Sequence, residues 1–325
     1  MAVAIVGCGF IGHKRARSLK DRELAICCDA VMAQAENLAA SFPFARATCD
    51  WGEVLRSDKV QIVILAVTHD CLAPLAMDAV RAGKHVLIEK PGARRAHELD
   101  PVRAAAREAG ALVRVGFNHR YHRSFQKAQE LFREGAIGDL MFVRGRYGHG
   151  GRVGYEKEWR ADPEKSGGGE LIDQGVHLID LARWFLGDFS RVQSQLSSSF
   201  WSMPVEDNAF LLLSTPNNQT AFLHASWTEW KNLFSFEIYG RTGKLSIDGL
   251  GGSYGTERLT YYRMTPDMGP PLTTSWEFPM ADNSWDLEFA DFEEDIRLGR
   301  EPHPGIEDAQ AALRVIEAAY ENANL

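Results

Sequence analysis

A chain of 325 residues with 45% hydrophobic and 10% aromatic residues is long enough for two domains, each with its own core. Its formal net charge of −8 argues against a nucleic-acid footprint, which needs a basic patch or stripe, and favours small-molecule chemistry. The five cysteines, Cys8, Cys27, Cys28, Cys49 and Cys71, are odd in number, lie in the first quarter and include no C-x-x-C pair, which suggests neither a disulfide framework nor a zinc site. The chain starts in a strand-like stretch with no basic leader, and no apolar run nears 18 residues, so a cytoplasmic protein without membrane or metal is expected.

From residue 1 to about 117, AVAIV (2–6), LAICC (24–28), VQIVILAV (60–67), HVLIE (85–89) and LVRVG (112–116) alternate with amphipathic stretches such as 31–41 and 72–82. That rhythm predicts β-α-β units, and the near-continuous Val/Ile/Leu runs predict a doubly wound parallel sheet covered on both faces. Beyond residue 118 the pattern predicts a helix (121–134), a strand (139–147), a Gly- and Arg-rich loop (148–169) and a helix (170–186). Strands follow near 191–201, 207–215, 219–227, 233–239 and 243–247 without intervening helices, so an antiparallel or mixed sheet is expected. In QTAFLHASW (219–227) one face carries Ala221, Leu223, Ala225 and Trp227 and the other Phe222 and His224. Helices on one side of the sheet and another subunit on the other would suit two partly apolar faces. Helices near 284–298 and 307–322 close the chain, and the domains are expected at 1–120 and 121–325.

GCGFIG sets Gly7, Gly9 and Gly12 in G-x-G-x-x-G spacing between the first strand and a helix-compatible HKRARSLK. Such glycines serve a tight turn, close approach of the backbone to a pyrophosphate, and helix-on-strand packing, with phosphates held at the helix N-terminus by the backbone from Gly7 through Phe10, Ile11 and Gly12. The second strand ends at Asp29, 17 residues past Gly12, where an acid accepts the adenosine ribose hydroxyls. Residues 30–33, Ala-Val-Met-Ala, offer no cation to a 2′-phosphate, which favours NAD over NADP.

HVLIEKPG (85–92) runs from strand into Glu89, Lys90 and Pro91. At the carboxyl edge of an open α/β sheet, where ligands bind, Lys90 could exchange a proton with a carbinol; a surface ion pair before a loop is the equal alternative. In SGGGELIDQGVHLIDLARWFLG (166–187), a wheel of about 100° per residue puts Asp173, His177, Asp180 and Trp184 in one stripe opposite Leu171, Gly175, Leu178, Ala182 and Phe185. The stripe is either a solvated face or an acid–base and hydroxyl-binding set.

Together GCGFIG, Glu89-Lys90-Pro91, VGFNHR (115–120), EGAIGDL (134–140) and GGG-x-L-x-D-x-G-x-H-x-x-D ending in RWFLG resemble the Gfo/Idh/MocA oxidoreductase family over nearly the whole chain. The resemblance implies an N-terminal Rossmann domain, a C-terminal α+β domain with a large, mostly antiparallel open sheet, and homodimers or homotetramers built on that sheet. It implies that Lys90 contacts nicotinamide ribose and substrate, that Asp173 positions substrate, and that His177 and Lys90 share the role of proton acceptor. Thr68, Glu89 and Asn118 join the cofactor residues on the same ground, and a cis Lys90-Pro91 bond is expected. Asp180 and Trp184 are assigned to packing and hydrogen bonding. Where many relatives have T-P-N followed by a histidine three residues later, this chain has Thr68-His69-Asp70 and then Ala73, which leaves His69 a cofactor contact, a substrate contact or a loop residue.

GHGGRVGYEKEWR (148–160) brings Arg152, Tyr155, Trp159 and Arg160, and residues 120–123 bring Arg120, Tyr121, His122 and Arg123. Aromatic faces suit a sugar ring and arginines suit carboxylates or phosphates, so a sugar, cyclitol or nucleotide-linked sugar fits, although at least half of these arginines are expected to pair with the chain's own acids. The leading reading is a dehydrogenase or ketoreductase. The alternatives are an NAD-dependent glycosidase working by transient C3 oxidation and a non-catalytic dinucleotide-binding protein.

Overall fold

Each apolar run of the first 117 residues forms a buried strand, and a computed structural model describes residues 1–323. The strands are β1 (Ala2–Val6), β2 (Leu24–Cys28), β3 (Arg46–Thr48), β4 (Val60–Leu65), β5 (His85–Glu89) and β6 (Val113–Gly116). Helices α1 (Phe10–Ser18), α2 (Met32–Ala39), α3 (Trp51–Arg56), α4 (His69–Arg81) and α5 (Asp100–Ala109) connect them. All pairings are parallel in the order β3-β2-β1-β4-β5-β6. The order reverses between β1 and β4, the place where such sheets open a crevice for ligands beyond the strand ends.

Next come α6 (Arg123–Arg133), β7 (Leu140–Gly148), the single turn α7 (Pro163–Ser166), a π-helical turn at Leu171–Gly175 and α8 (Val176–Leu186). Strands β8 (Arg191–Ser197), β9 (Asn208–Ser214), β10 (Thr220–Ser226), β11 (Leu233–Gly240), β12 (Gly243–Asp248), β13 (Glu257–Arg263) and β14 (Leu272–Phe278) complete an eight-stranded sheet in the order β14-β13-β12-β11-β7-β10-β9-β8. Only β7 and β10 run parallel within it. Helices α9 (Ser284–Leu298) and α10 (Ile306–Asn322) end the chain. Strands β13 and β14 lie in a stretch for which the sequence pattern predicted none: Leu272 to Ser275 of the edge strand β14 are all exposed, so no burial alternation marks it.

The chain divides into two compact units, residues 1–117 with 285–311, and residues 118–284 with the chain from 312. Residues 285–311 group with the first unit although they follow the second in sequence. The reason is in α9. Phe289 and Phe292 are fully buried in one cluster with Val3, Ile5, Leu24, Ile62 and Leu87, and each such ring contributes about 1.5–3 kcal/mol on burial.

In the second unit the sheet turns Leu211, Leu213, Ala221, Leu223, Phe236 and Ile238 inward, and α6 and α8 pack on the sheet. Its other face exposes Phe210, Leu212 and Phe222, with the Phe210 and His224 rings stacked at 4.1 Å. The face split expected for QTAFLHASW is therefore the observed one. Among the described residues no helix is long and apolar enough to cross a membrane.

Candidate functional site

The three glycines of GCGFIG meet three different surroundings. Gly7 has φ +89°, and a Cβ there would lie 2.2 Å from the Ala66 carbonyl oxygen. A Cβ on Gly12 would lie 2.1 Å from the Gly7 carbonyl, so helix and turn touch only because both residues are glycine. A Cβ on Gly9 would meet nothing within 4 Å. That open cradle faces the start of α1, which has Gly9 as N-cap, no side-chain cap and no acid in its first turn, so its first N–H groups suit a pyrophosphate. Phe10 is exposed there and Ile11 half-buried. Gly9→Ala should leave stability within about 1 kcal/mol and weaken NADH binding at least about tenfold, whereas Gly12→Ala should cost about 1–3 kcal/mol of stability. Urea unfolding beside NADH titration separates the two.

Asp29 sits at the end of β2. Its Oδ2 accepts the Cys8 N–H of the glycine loop at 2.7 Å and its Oδ1 the Val31 N–H at 2.9 Å, so loop and acid are held in register. Across the sheet, Thr68 precedes α4 without capping it, and His69 is the first residue of that helix and is buried. The loop-residue reading of His69 is thereby excluded.

Why β5 ends in Glu89 is answered by Arg15. Glu89 Oε1 accepts from Arg15 Nε at 2.5 Å, and Arg15 Nη1 donates to Glu288 Oε2 of α9 at 2.5 Å, with the guanidinium over the Trp285 ring at 4.3 Å. All three charged groups are buried. Burial alone would lower the Arg15 pKa, and its two carboxylates reverse that, while burial raises Glu288. A Cβ on Gly116 would come within 2.6 Å of Arg15 Nη2, so β6 ends in glycine to make room for the cation. Glu89 is thus an interior partner of Arg15 rather than half of a surface ion pair. Lys90 is half-buried, and the Lys90-Pro91 bond is cis.

In the second unit, Glu206 organises the turn that leads into α8. Its carboxylate accepts N–H bonds from Gly169 at 3.1 Å and Leu171 at 3.0 Å and the Tyr320 hydroxyl at 2.9 Å. Gly168 and Gly169 are packing glycines: added Cβ atoms would lie 1.9 Å from the Tyr320 oxygen and 2.1 Å from the Glu206 carbonyl. Asp173, His177 and Asp180 are all buried, which excludes the solvated-face reading, and the helix is buried on the opposite side as well. The π turn at 171–175 adds a residue to the helical repeat, so the simple wheel loses its phase between Asp173 and Asp180.

Asp180 accepts both forks of Arg120, at 2.8 and 2.5 Å, with Trp184 5.7 Å from the guanidinium, which matches the packing role expected of Asp180 and Trp184. Arg160 donates to Asp173 Oδ2 at 2.8 Å, lies 4.6 Å from the Trp159 ring centroid and is held in its charged form chiefly by Asp173. Arg152 pairs with Glu158 at 2.7 Å. Arg120, Arg152 and Arg160 therefore all pair with the chain's own acids. Tyr155 packs edge-on against Trp227 at 4.9 Å and is buried, as is Tyr121; burial drives the Tyr155 phenol upward. Asn118 donates to Ser284 Oγ at 2.9 Å.

Residues 1–117 match the oxidoreductase family with an NAD-binding Rossmann fold, and residues 125–246 match the GFO/IDH/MocA C-terminal domain. The chain belongs to the GFO/IDH/MocA family. It is 30% identical to the levoglucosan dehydrogenase of Pseudarthrobacter phenanthrenivorans over 191 residues, 56% of this chain and 47% of that enzyme, so the match spans about half of that relative's length. It is 25% identical to the scyllo-inositol 2-dehydrogenase (NADP(+)) of Bacillus subtilis over 302 residues, 88% of this chain and 83% of that one. A levoglucosan dehydrogenase structure in complex with NADH and levoglucosan shares the fold, with a TM-score of 0.88 at 22% identity over 99% of this chain and 96% of that one. Several polar residues of this GFO/IDH/MocA chain were not foreseen. The His119 ring stacks on His177 at 3.7 Å, and Tyr147 lies 5.3 Å from His119 and 6.3 Å from His177. Gln174 donates to the Tyr254 hydroxyl at 3.3 Å. His149 is pulled down by burial, with Asp173 and Arg160 both acting on it. His149 and His119 stand inside GHGG and VGFNHR, motifs already singled out, but nothing in their spacing distinguished them.

Proposed function

We propose that the chain is a cytoplasmic NAD-dependent dehydrogenase or ketoreductase that moves hydride between a ring carbinol carbon of a sugar, cyclitol or nucleotide-linked sugar and nicotinamide. The observation that carries this reading is the burial of Asp173 and His177 in a unit where Arg160 already neutralises the acid: such groups are costly to bury and cluster where chemistry needs them. When bound, NAD supplies the hydride acceptor. The chain's own residues do the rest. Lys90 and His177 share the role of acceptor for the single carbinol proton, Asp173 accepts from a substrate hydroxyl, and Arg160, donating to Asp173 Oδ2 at 2.8 Å, holds that carboxylate in place. Gly7, Gly9, Phe10, Ile11 and Gly12 serve the pyrophosphate, with Thr68, His69 and Asn118 as further cofactor residues. Arg120, Tyr121, Arg152, Tyr155 and Trp159 serve the substrate through packing and charge as their paired or buried states allow.

NAD is preferred over NADP because Asp29 repels a 2′-phosphate and residues 30–33 bring no cation. Asp29→Ser should lower the NAD⁺-to-NADP⁺ ratio of kcat/KM at least about tenfold, which steady-state kinetics with both cofactors would show. The exposed Phe210, Leu212 and Phe222 favour a homodimer or homotetramer through the outer face of the second sheet, and sedimentation of the wild type beside Phe222→Lys checks it.

The deciding experiment incubates the protein with NAD⁺ or NADP⁺ and a panel of inositols, free sugars and nucleotide-linked sugars and follows reduced cofactor. Formation of NADH with one class supports the reading. Hydrolysis of a glycoside without net NADH would favour the glycosidase mechanism, and absence of dinucleotide binding would overturn the reading.

A further inference from the structure

His119 is not used by the chemistry above, yet it is the aromatic group set against His177. Its ring lies 3.7 Å from the His177 ring with 20° between planes, and both rings are buried. The remaining sides of His119 are also fixed. Tyr147 of β7 lies at 5.3 Å, Phe234 of β11 at 6.0 Å and the His122 ring edge at 5.5 Å. Its Nδ1 lies 3.3 Å from Asn118 Oδ1, and Asn118 Nδ2 donates to Ser284 Oγ, so the ring edge is tied to residue 118 as well. The charged groups of this neighbourhood are likewise committed: His122 Nδ1 pairs with Glu257 of β13 at 2.9 Å, with Asp282 4.0 Å away, and Arg120 is held by Asp180. His119 is therefore a flat surface seated by β7, β11 and His122, against which the His177 ring rests.

We propose that His119 is a positioning residue for His177: the stacked ring fixes the plane of the His177 imidazole and so the direction in which its ring nitrogen meets the substrate proton. The inference rests on the reading of His177 as proton acceptor. A free imidazole samples its broad, roughly two-fold χ2 range, and a base must meet its proton within hydrogen-bond reach and direction.

The test compares His119→Ala, which removes the surface, with His119→Phe, which keeps a flat ring. His177→Ala and the His119→Ala/His177→Ala double variant are run beside them, with the fastest substrate of the panel named above. His119→Ala should lower kcat about ten- to hundredfold with KM and NADH affinity within about threefold, His119→Phe should recover to within about threefold of wild type, and the double variant should be no slower than His177→Ala. In histidine-labelled protein, the His177 ring-proton resonances, shifted upfield by stacking, should move toward free-imidazole values in His119→Ala and stay in His119→Phe, a readout independent of turnover. Wild-type kcat in His119→Ala, a His119→Phe as slow as His119→Ala, or unmoved His177 resonances would overturn the proposal. If His177→Ala is itself fully active, the reading of His177 fails instead, and the resonances still decide whether His119 holds its ring.

Discussion

Arg15→Met is expected to lower stability by about 3–5 kcal/mol at neutral pH, because it strands Glu89 and Glu288 in the interior without their cation. Breaking a buried charge cluster from one side costs more than the cluster contributes, since the orphaned carboxylates keep their desolvation penalty and now repel each other. The sign with pH follows. Burial already raises Glu288, and removing Arg15 takes away the charge that opposes this, so its folded-state pKa lies above the unfolded value of about 4.3 and the variant's deficit is small near that pH and grows as pH rises. Glu288→Gln added to Arg15→Met removes one of the two buried acids and should recover part of the loss. Urea unfolding across that pH range measures all of this, and a deficit below about 1 kcal/mol at neutral pH would show that the carboxylates reach solvent.

His177→Ala is expected to reduce kcat about 10²- to 10⁴-fold, the usual contribution of a positioned general base, while NADH affinity stays within about twofold. The reason for the split is that the glycine cradle and Asp29 belong to the first unit and His177 to the second. Lys90→Ala run in parallel apportions the proton chemistry: if His177→Ala loses less than about fivefold and Lys90→Ala loses nearly everything, the lysine is the base and the histidine an orienting group. Single-turnover reduction of NAD⁺, followed with and without added imidazole, separates a missing base from a misplaced substrate.

The parallel sheet was legible because β1, β2, β4 and β5 are buried on both faces and so carry nearly unbroken Val, Ile, Leu, Ala and Cys. GCGFIG and Asp29 were legible because each has a local cause, a turn, an approach or a packing contact, within a few residues. What stayed hidden depends on partners distant in sequence. Arg15 reads as a surface residue of HKRARSLK, and nothing there reveals that it is fully buried with Glu288, 273 positions later. The membership of 285–311 in the first unit was hidden for the same reason: periodicity gave the bounds of α9 but not the sheet it would cover. The wheel through Asp173 and His177 assumed an uninterrupted α-helix, and a π turn has no signature in composition. His119 was one residue of a recognised motif whose importance comes only from the ring it stacks on.

The return of α9 to the first unit also bears on how the chain is made. Domains generally fold as units with the N-terminal one first during synthesis, at roughly 5–20 residues per second. A nascent chain ending near residue 280 already contains all six parallel strands but has no Glu288, Phe289, Phe292 or Asp295, so the apolar side covered by α9 stays wet and the α9 carboxylates for Arg15 and Arg114 do not yet exist. The nucleotide-binding half thus leaves the ribosome before the second unit yet is finished after that unit's sheet, and a chain stalled between the two is a natural target for chaperones and proteases.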